Sequence, residues 1–411
     1  LARNMATIRI QNFGPIKDTG LIQLSEIMLI IGRQSSGKST FMKVLCHCRW
    51  VEKRIMTRID NIVQVYTHNR RFATELKQFH RVDEMYFQDN TSIEYDGDVV
   101  SISLSGKNSN AKITRKNETW GNRYNTKISY IPAERNLVSA VRNINSAYKT
   151  DDRDVLFNFI LEWNEYRRDF TKNRQLNLSL TNNFKYYDED GQDYIVLPNG
   201  NPITSFFASS GVQSIMPIDV ISEKTVNVVG NVTKYSVDDL MSRMIEILDK
   251  NKETEPTEEL SKTMESMREY MKYKSAQLFI EEPEQNLYPD AQRTLILNLV
   301  RRIKKAQTTA NKQSMLMLTT HSPYVLSVLN ALIADAAAKK QKPDDDRLNE
   351  IIDESTLLPV EAYSAYYINK DGVFEDIKDL EIPMFSGIDL DSVSDWVDEH
   401  ISRINDILYS E

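Results

Sequence analysis

The chain has 411 residues, room for two or three domains or for one large domain with insertions. Hydrophobic residues make up 41%, enough for a sizeable core, and 51 Lys and Arg stand against 59 Asp and Glu, a net charge of −8. That balance excludes a dedicated nucleic-acid coat protein, so any contact with DNA or RNA must be local.

No apolar run approaches the length of a transmembrane helix. No charged–apolar–small leader opens the sequence, and Met5 reads as its natural start. The expectation is a cytoplasmic protein with no membrane partner. Only two cysteines occur, Cys46 and Cys48, with His47 between them. They suit a reducing compartment. Consecutive residues of a helix point in different directions, so the three read as packing residues and not as a metal site.

In chain order, Thr7 to Phe13 alternates apolar and polar, the mark of a half-buried strand, and Gly14-Pro15 breaks it. Leu21 to Leu24 reads as a second short strand. Ile27 to Ile31 is a continuous apolar run that stops at Gly32, as a buried parallel strand would. Phe41, Val44, Leu45, Cys48 and Val51 then recur on one helical face. From Ser92 to Ser129 the pattern turns to short strands, with a hairpin signal at Asp96-Gly97. Asn136 to Arg174 reads as helical. Tyr186 to Pro198 returns to short strands around Asp190-Gly191. Asp238 to Lys274 reads as helices about a polar break near Pro256. Gln277 to Ile280 and Ser314 to Thr319 are buried strands, with a helix over Asp290 to Lys305 between them. Ala331 to Arg347 reads as an exposed connection.

Four segments carry chemistry. Gly32-Arg33-Gln34-Ser35-Ser36-Gly37-Lys38-Ser39-Thr40 satisfies G-x-x-x-x-G-K-[ST] between a buried strand and an amphipathic helix. Glycines let such a loop turn its N–H groups onto phosphates, and the next helix adds its positive end. Lys38 would reach the β- and γ-phosphates, and Ser39 would offer its hydroxyl to Mg²⁺. An apolar strand then ends in Glu281-Glu282. The first carboxylate suits orienting Mg²⁺ and its waters, the second polarising the attacking water. His321 lies just past another buried strand, where an α/β sheet presents its ligands. Ala208-Ser209-Ser210-Gly211-Val212-Gln213 is a small-residue turn opening a helix; alone it reads as a cap, though it also suits a phosphate.

The order of these motifs resembles that of the ABC-type ATPase superfamily. Ile10 to Lys17 and Glu281-Glu282-Pro283-Glu284-Gln285-Asn286-Leu287-Tyr288-Pro289 are similar to its RecF, SMC and OLD-like branch of AAA-family ATPases. The resemblance implies ATP and Mg²⁺ as cofactors. It places Lys38, Ser39 and Thr40 in Walker A, Glu281 in Walker B, Glu282 as catalytic glutamate, and Gln285 to Leu287 in the D-loop. His321 becomes the switch histidine. Ser209, Ser210, Gly211 and Gln213 become a signature acting on the partner's γ-phosphate, in an ATP-dependent head-to-tail homodimer. Three positions depart from the pattern: Glu281 replaces the usual aspartate, Ala208 a leucine, and Gln34 an asparagine. Ile131-Pro132-Ala133-Glu134-Arg135 looks like a motif of the branch, with no role for Arg135 assigned.

The expected fold is α/β: a P-loop NTPase of ABC-ATPase type with a mixed central sheet flanked by helices, an antiparallel β subdomain and helical insertions. The expected divisions are an ATPase lobe over 5–135, a helical signature region over 136–222, an insertion over 223–274, a second ATPase lobe over 275–335 and a strand–helix segment over 350–411. Sustained heptads are missing between Thr40 and Ser209, which excludes a long SMC-type coiled-coil arm. Beyond His321 no acidic Toprim pattern appears, since Asp389-Leu390-Asp391 reads as the start of a helix over 392–407. Nuclease activity is therefore not expected. Lys and Arg outnumber Asp and Glu between Arg49 and Arg81, which keeps local nucleic-acid contact open. The reading is an ATP-driven switch acting on a separate effector, a nuclease or toxin in anti-phage defence. Its alternatives are a RecF-like DNA-repair ATPase and an ATP-binding scaffold with negligible turnover.

Overall fold

The computed structural model describes residues 6–57, 62–116, 124–141, 144, 154–231, 272–310, 312–379, 384–387 and 401–403. Most of the insertion expected over 223–274, the break at Pro256, Asp389 to Asp391, and all but 401–403 of the expected 392–407 helix lie outside them.

Three sheets are present among the described residues. The first is antiparallel and combines β1 (Thr7–Phe13), β2 (Ile16–Asp18), β3 (Ile22–Gln23), β5 (Phe87–Asp96), β6 (Val100–Ser105) and β7 (Lys112–Arg115). The central sheet runs β16–β15–β4–β14–β13–β8, from β4 (Ile27–Gly32), β8 (Asn125–Ile131), β13 (Tyr273–Glu281), β14 (Met315–Thr320), β15 (Tyr363–Ile368) and β16 (Phe374–Asp376). Its strands are parallel except β16 at the edge. The third sheet, β12–β11–β10–β9, joins β9 (Leu176–Asn177), β10 (Lys185–Glu189), β11 (Gln192–Val196) and β12 (Pro202–Thr204). Asp190 and Gly191 link β10 to β11 with φ of 54° and 81°, as a primed hairpin turn requires.

The unbroken apolar run of β4 has a simple cause. Ile27, Leu29 and Ile31 enter one hydrophobic core, and Met28 and Ile30 enter the other. The first core lies under the helices Val155–Tyr166, Ser210–Asn227, Pro289–Ala310 and Pro323–Gln341. The second lies between the central sheet, the Lys38–Thr57 helix and the antiparallel sheet. A sheet covered on both faces needs apolar side chains at every position. No helix among the described residues is long and apolar enough to cross a membrane.

Three expectations are corrected. Ala331 to Arg347 is no simple exposed connection: the Pro323–Gln341 helix runs through its first half and buries Leu332, Ile333 and Ala336. The short-strand region does not reach Ser129 as one unit, because β8 leaves it to pair in parallel with β13. β8 is buried at six of its seven positions, a central-sheet pattern that the polar Asn125, Thr126 and Ser129 disguise. The strand expected over Leu21 to Leu24 shrinks to Ile22–Gln23, and β2, unforeseen, closes a hairpin on β1.

A buried polar knot fixes the Ser210–Asn227 helix. The wholly buried Asp219 accepts from Ser179 N and Oγ, each at 2.6 Å, and from Arg302 Nη1 at 2.7 Å. Asp219→Ala should destabilise the protein by about 3 kcal/mol, because it leaves the buried Ser179 N–H without its acceptor and takes one carboxylate partner from the buried Arg302, which keeps Glu223. Denaturant unfolding checks this, and a loss below about 1 kcal/mol would contradict it.

Candidate functional site

The phosphate loop leaves β4 at Gly32 and enters the Lys38–Thr57 helix. Gly37 has φ +110°, a conformation L side chains rarely adopt, and Ser35 sits in the left-handed region at +59°. Arg33, Gln34 and Ser35 are exposed, Ser39 is half-buried and Thr40 is buried. Lys38 curls back over the loop: Nζ donates to Gly32 O at 2.9 Å and Arg33 O at 2.8 Å. Burial pulls the Lys38 ammonium from the ordinary 10.5 down to about 8, against the pull of Glu282, Glu284 and Glu281. The Ser36 hydroxyl is buried with no hydrogen-bond partner. A cation resting on neutral carbonyls and an orphaned hydroxyl at a helix N-terminus are what a phosphate group would satisfy.

Both carboxylates stand at the end of β13, with β14 between that strand and β4. Glu281 ends β13 and is buried; Oε1 accepts from the Tyr130 hydroxyl, and Oε2 accepts from Ala133 N at 3.2 Å. Lone pairs remain on both oxygens, so a bound cation or its waters are still accommodated. Glu282 turns away from the strand with φ +43°, unusual for a residue with a side chain. Its N–H donates to Thr319 O at 2.9 Å.

Lys38 Nζ also approaches His321 Nδ1 at 3.4 Å, and His321 Nε2 lies 3.3 Å from Glu282 Oε1. An ammonium can only donate, so Nδ1 accepts and Nε2 carries the proton to the carboxylate. The hydrogen bond from His321, with the Lys38 and Arg135 charges nearby, holds the Glu282 carboxyl below its ordinary range despite burial. Phosphate loop, catalytic-glutamate position and switch-histidine position are thus one connected chain of polar contacts. Among the described residues no group of three or more His, Cys, Asp or Glu could cage a metal ion. A Mg²⁺ ion here would be carried largely by phosphate oxygens and water.

The family described as AAA ATPase domain matches residues 5–276. The chain belongs to that family. A second family, described as AAA domain, putative AbiEii toxin, Type IV TA system, matches residues 246–327. Among solved structures, the SMC head domain from Thermotoga maritima is similar at 12% identity and TM-score 0.33, over 78% of this chain and 90% of that one. The SMC head domain with an extended coiled coil bound to the C-terminal domain of ScpA from Pyrococcus furiosus gives 9% and 0.37, over 91% and 96%. The recombination mediator protein RecF gives 10% and 0.33, over 90% and 97%. No curated protein matches the chain.

In this AAA ATPase the Ser209 to Gly211 turn opens the Ser210–Asn227 helix. Ser209 caps the Ser210–Asn227 helix without a side-chain bond, and both serines are exposed. Gly211 faces the D-loop position so closely that a Cβ there would meet Asn286 O at 2.9 Å. Gln213 does not project outward: Nε2 donates to Ser205 O at 3.0 Å and Phe206 O at 3.1 Å, bracing the turn from within. Cys46 and Cys48 are buried free thiols, and burial pushes both up.

Sequence reasoning did not assign three residues that order the site. Tyr130 holds Glu281. Glu284 Oε1 accepts from His321 N at 2.7 Å and so places the histidine. Arg135 hydrogen-bonds the carbonyls of both Glu281 and Glu282. The signal for Arg135 was its place just after a strand in Ile131 to Arg135, but nothing linear connects it to residues so far along the chain.

Proposed function

We propose that this chain hydrolyses ATP with Mg²⁺, and that ATP closes two copies head to tail so that each exposed Ser209 to Gly211 turn completes the other's site. The observation that carries the reading is the Lys38–His321–Glu282 chain of contacts, which places a cation, a relay imidazole and a carboxylate at the ends of adjacent parallel strands. Lys38 and the loop N–H groups would hold the β- and γ-phosphates. Ser39 and Glu281 would hold Mg²⁺, which when bound neutralises phosphate charge. Glu282, anionic and oriented by His321, would accept a hydrogen bond from the attacking water and raise its nucleophilicity.

The division into two ATPase lobes around a signature region belongs to this proposal. So does control of a separate effector, which rests on analogy with other ATPases of this fold. Closing on hydrolysable ATP and reopening after turnover would let that effector sense the nucleotide state.

Ser210→Arg tests completion in trans. The residue is exposed on a helix end, so the fold and the ATP site of the same chain should survive. ATP binding should stay within about threefold of the parent, while turnover falls at least about a hundredfold and ATP-dependent dimers disappear from size-exclusion profiles. Retained turnover in this variant would remove the signature assignment.

A further inference from the structure

We propose that Arg135 is a positioning residue that couples the Ser209 to Gly211 turn to Glu282 of the same chain, so that the nucleotide read by one site sets the catalytic carboxylate of the other. The inference rests on the dimer reading above and adds the physical link within each subunit.

The Arg135 guanidinium is wholly buried, and all five of its N–H groups are used. Nη1 donates to Glu281 O at 2.8 Å and Pro132 O at 3.4 Å. Nη2 donates to Glu282 O at 2.7 Å and Ser214 Oγ at 3.0 Å. Nε donates to Ser214 O at 3.0 Å. One rigid plane therefore spans the end of β13 and the Ser210–Asn227 helix. Ser214 lies about one turn from Ser210, where that helix begins, and a helix moves as a rigid element. A displacement of the serine turn is thereby carried to the two glutamate carbonyls.

What lies at the far end is conformationally demanding. Glu282 occupies the left-handed region, held on one side by the Thr319 carbonyl and on the other by Arg135. Such a backbone persists only where its surroundings over-determine it. Releasing either hold would let the carboxylate swing from His321. The five acceptors are carbonyls and a hydroxyl, so the cation is buried without a carboxylate in hydrogen-bond contact; burial pulls Arg135 from 12.5 to about 10. A purely structural tie between helix and strand does not need a desolvated charge. The planar fork is needed to reach both carbonyls and the helix at once, which a lysine cannot do.

The test uses the full chain with Arg135→Lys and Ser214→Ala, measuring turnover against ATP concentration, the ATP-dependent dimer and thermal unfolding. Arg135→Lys should lower kcat at least about tenfold with the ATP KM within about threefold, and its Hill coefficient should fall toward one. Ser214→Ala, which removes one of the two helix acceptors and keeps the clamp on the glutamates, should retain most of kcat while its Hill coefficient falls part-way toward one. It keeps the inference falsifiable if the lysine variant does not fold. Variants matching a cooperative parent dimer in kcat and Hill coefficient overturn this inference alone. A parent that hydrolyses ATP as a monomer overturns it together with the dimer reading.

Discussion

Replacing Glu282 by glutamine should lower steady-state ATP turnover by about a hundredfold to ten-thousandfold while ATP binding persists, the span expected for removing a positioned base. The geometry explains why loss and retention should separate so cleanly. The Glu282 carboxylate meets His321 Nε2 at 3.3 Å, and its backbone is fixed through Thr319 and Arg135. Glutamine keeps the length and the backbone bonds, and its amide oxygen still accepts from His321. What it loses is the negative charge that polarises water. The same loss removes a repulsion against the triphosphate, so affinity should hold or rise. Because the parent carboxyl is held below its ordinary range, its charge is present at neutral pH, and its removal is a full unit change. The ATP-bound variant should therefore accumulate as a dimer in size exclusion with ATP and Mg²⁺. Turnover within about tenfold of the parent would show that another group activates the water.

The reach of the sequence is clearest where function and local chemistry coincide. A G-x-x-x-x-G-K-S run needs its own strand before it and its own helix behind it, so loop, β4 and the Lys38–Thr57 helix were all legible from one stretch of chain. β13 and β14 were legible for the same reason: a sheet buried on both faces writes an unbroken apolar run, and such runs end where ligands bind. β8 was harder. It is as buried as its neighbours but carries the polar Asn125, Thr126 and Ser129, and the two hydroxyls find partners only after folding: Thr126 with Ser275 at 2.9 Å, Ser129 with Thr225 at 2.8 Å. Polarity marks exposure only until a distant partner satisfies it.

The residues that position the site were illegible for a related reason. Tyr130, Arg135 and Glu284 act on groups they meet only through the order of the central sheet, in which β8 lies beside β13 and β13 beside β14. Motifs record what touches the ligand. They do not record which side chain holds the holder. Gln213 is the converse case: its place in the serine turn suggested an outward role, and its amide is spent on carbonyls of its own chain. The helix spanning Ala331 was missed because Lys339-Lys340 close it and Asp344 to Asp346 follow, and that run of charge masked the buried Leu332, Ile333 and Ala336.

Lys38→Met should have effects of opposite sign on binding and on stability. Nζ is held by two carbonyls and the nitrogen of His321, none of them anionic, and burial lowers it to about 8. The charge is thus disfavoured in the free protein and is favoured once phosphate oxygens arrive. Removing it should weaken ATP binding by about a hundredfold or more, the loss expected when a buried anion is left without its charge-assisted donor. The nucleotide-free fold should meanwhile gain in melting temperature, since a desolvated ammonium becomes a well-packed thioether. The pH dependence separates the two terms. Between about 8 and 10.5 the unfolded chain keeps the lysine proton that the folded chain has lost, so the Lys38 contribution to stability rises with pH across that window. ATP binding favours the charged form and therefore takes up a proton there. Affinity should fall as pH rises through about 8, approaching tenfold per unit, with proton uptake visible by calorimetry in buffers of different ionisation enthalpy. Both trends should vanish in the methionine variant. An affinity that is flat through that window in the parent would mean that Lys38 stays fully charged on the empty loop, and the carbonyl-bound ammonium could no longer be the poised element of the site.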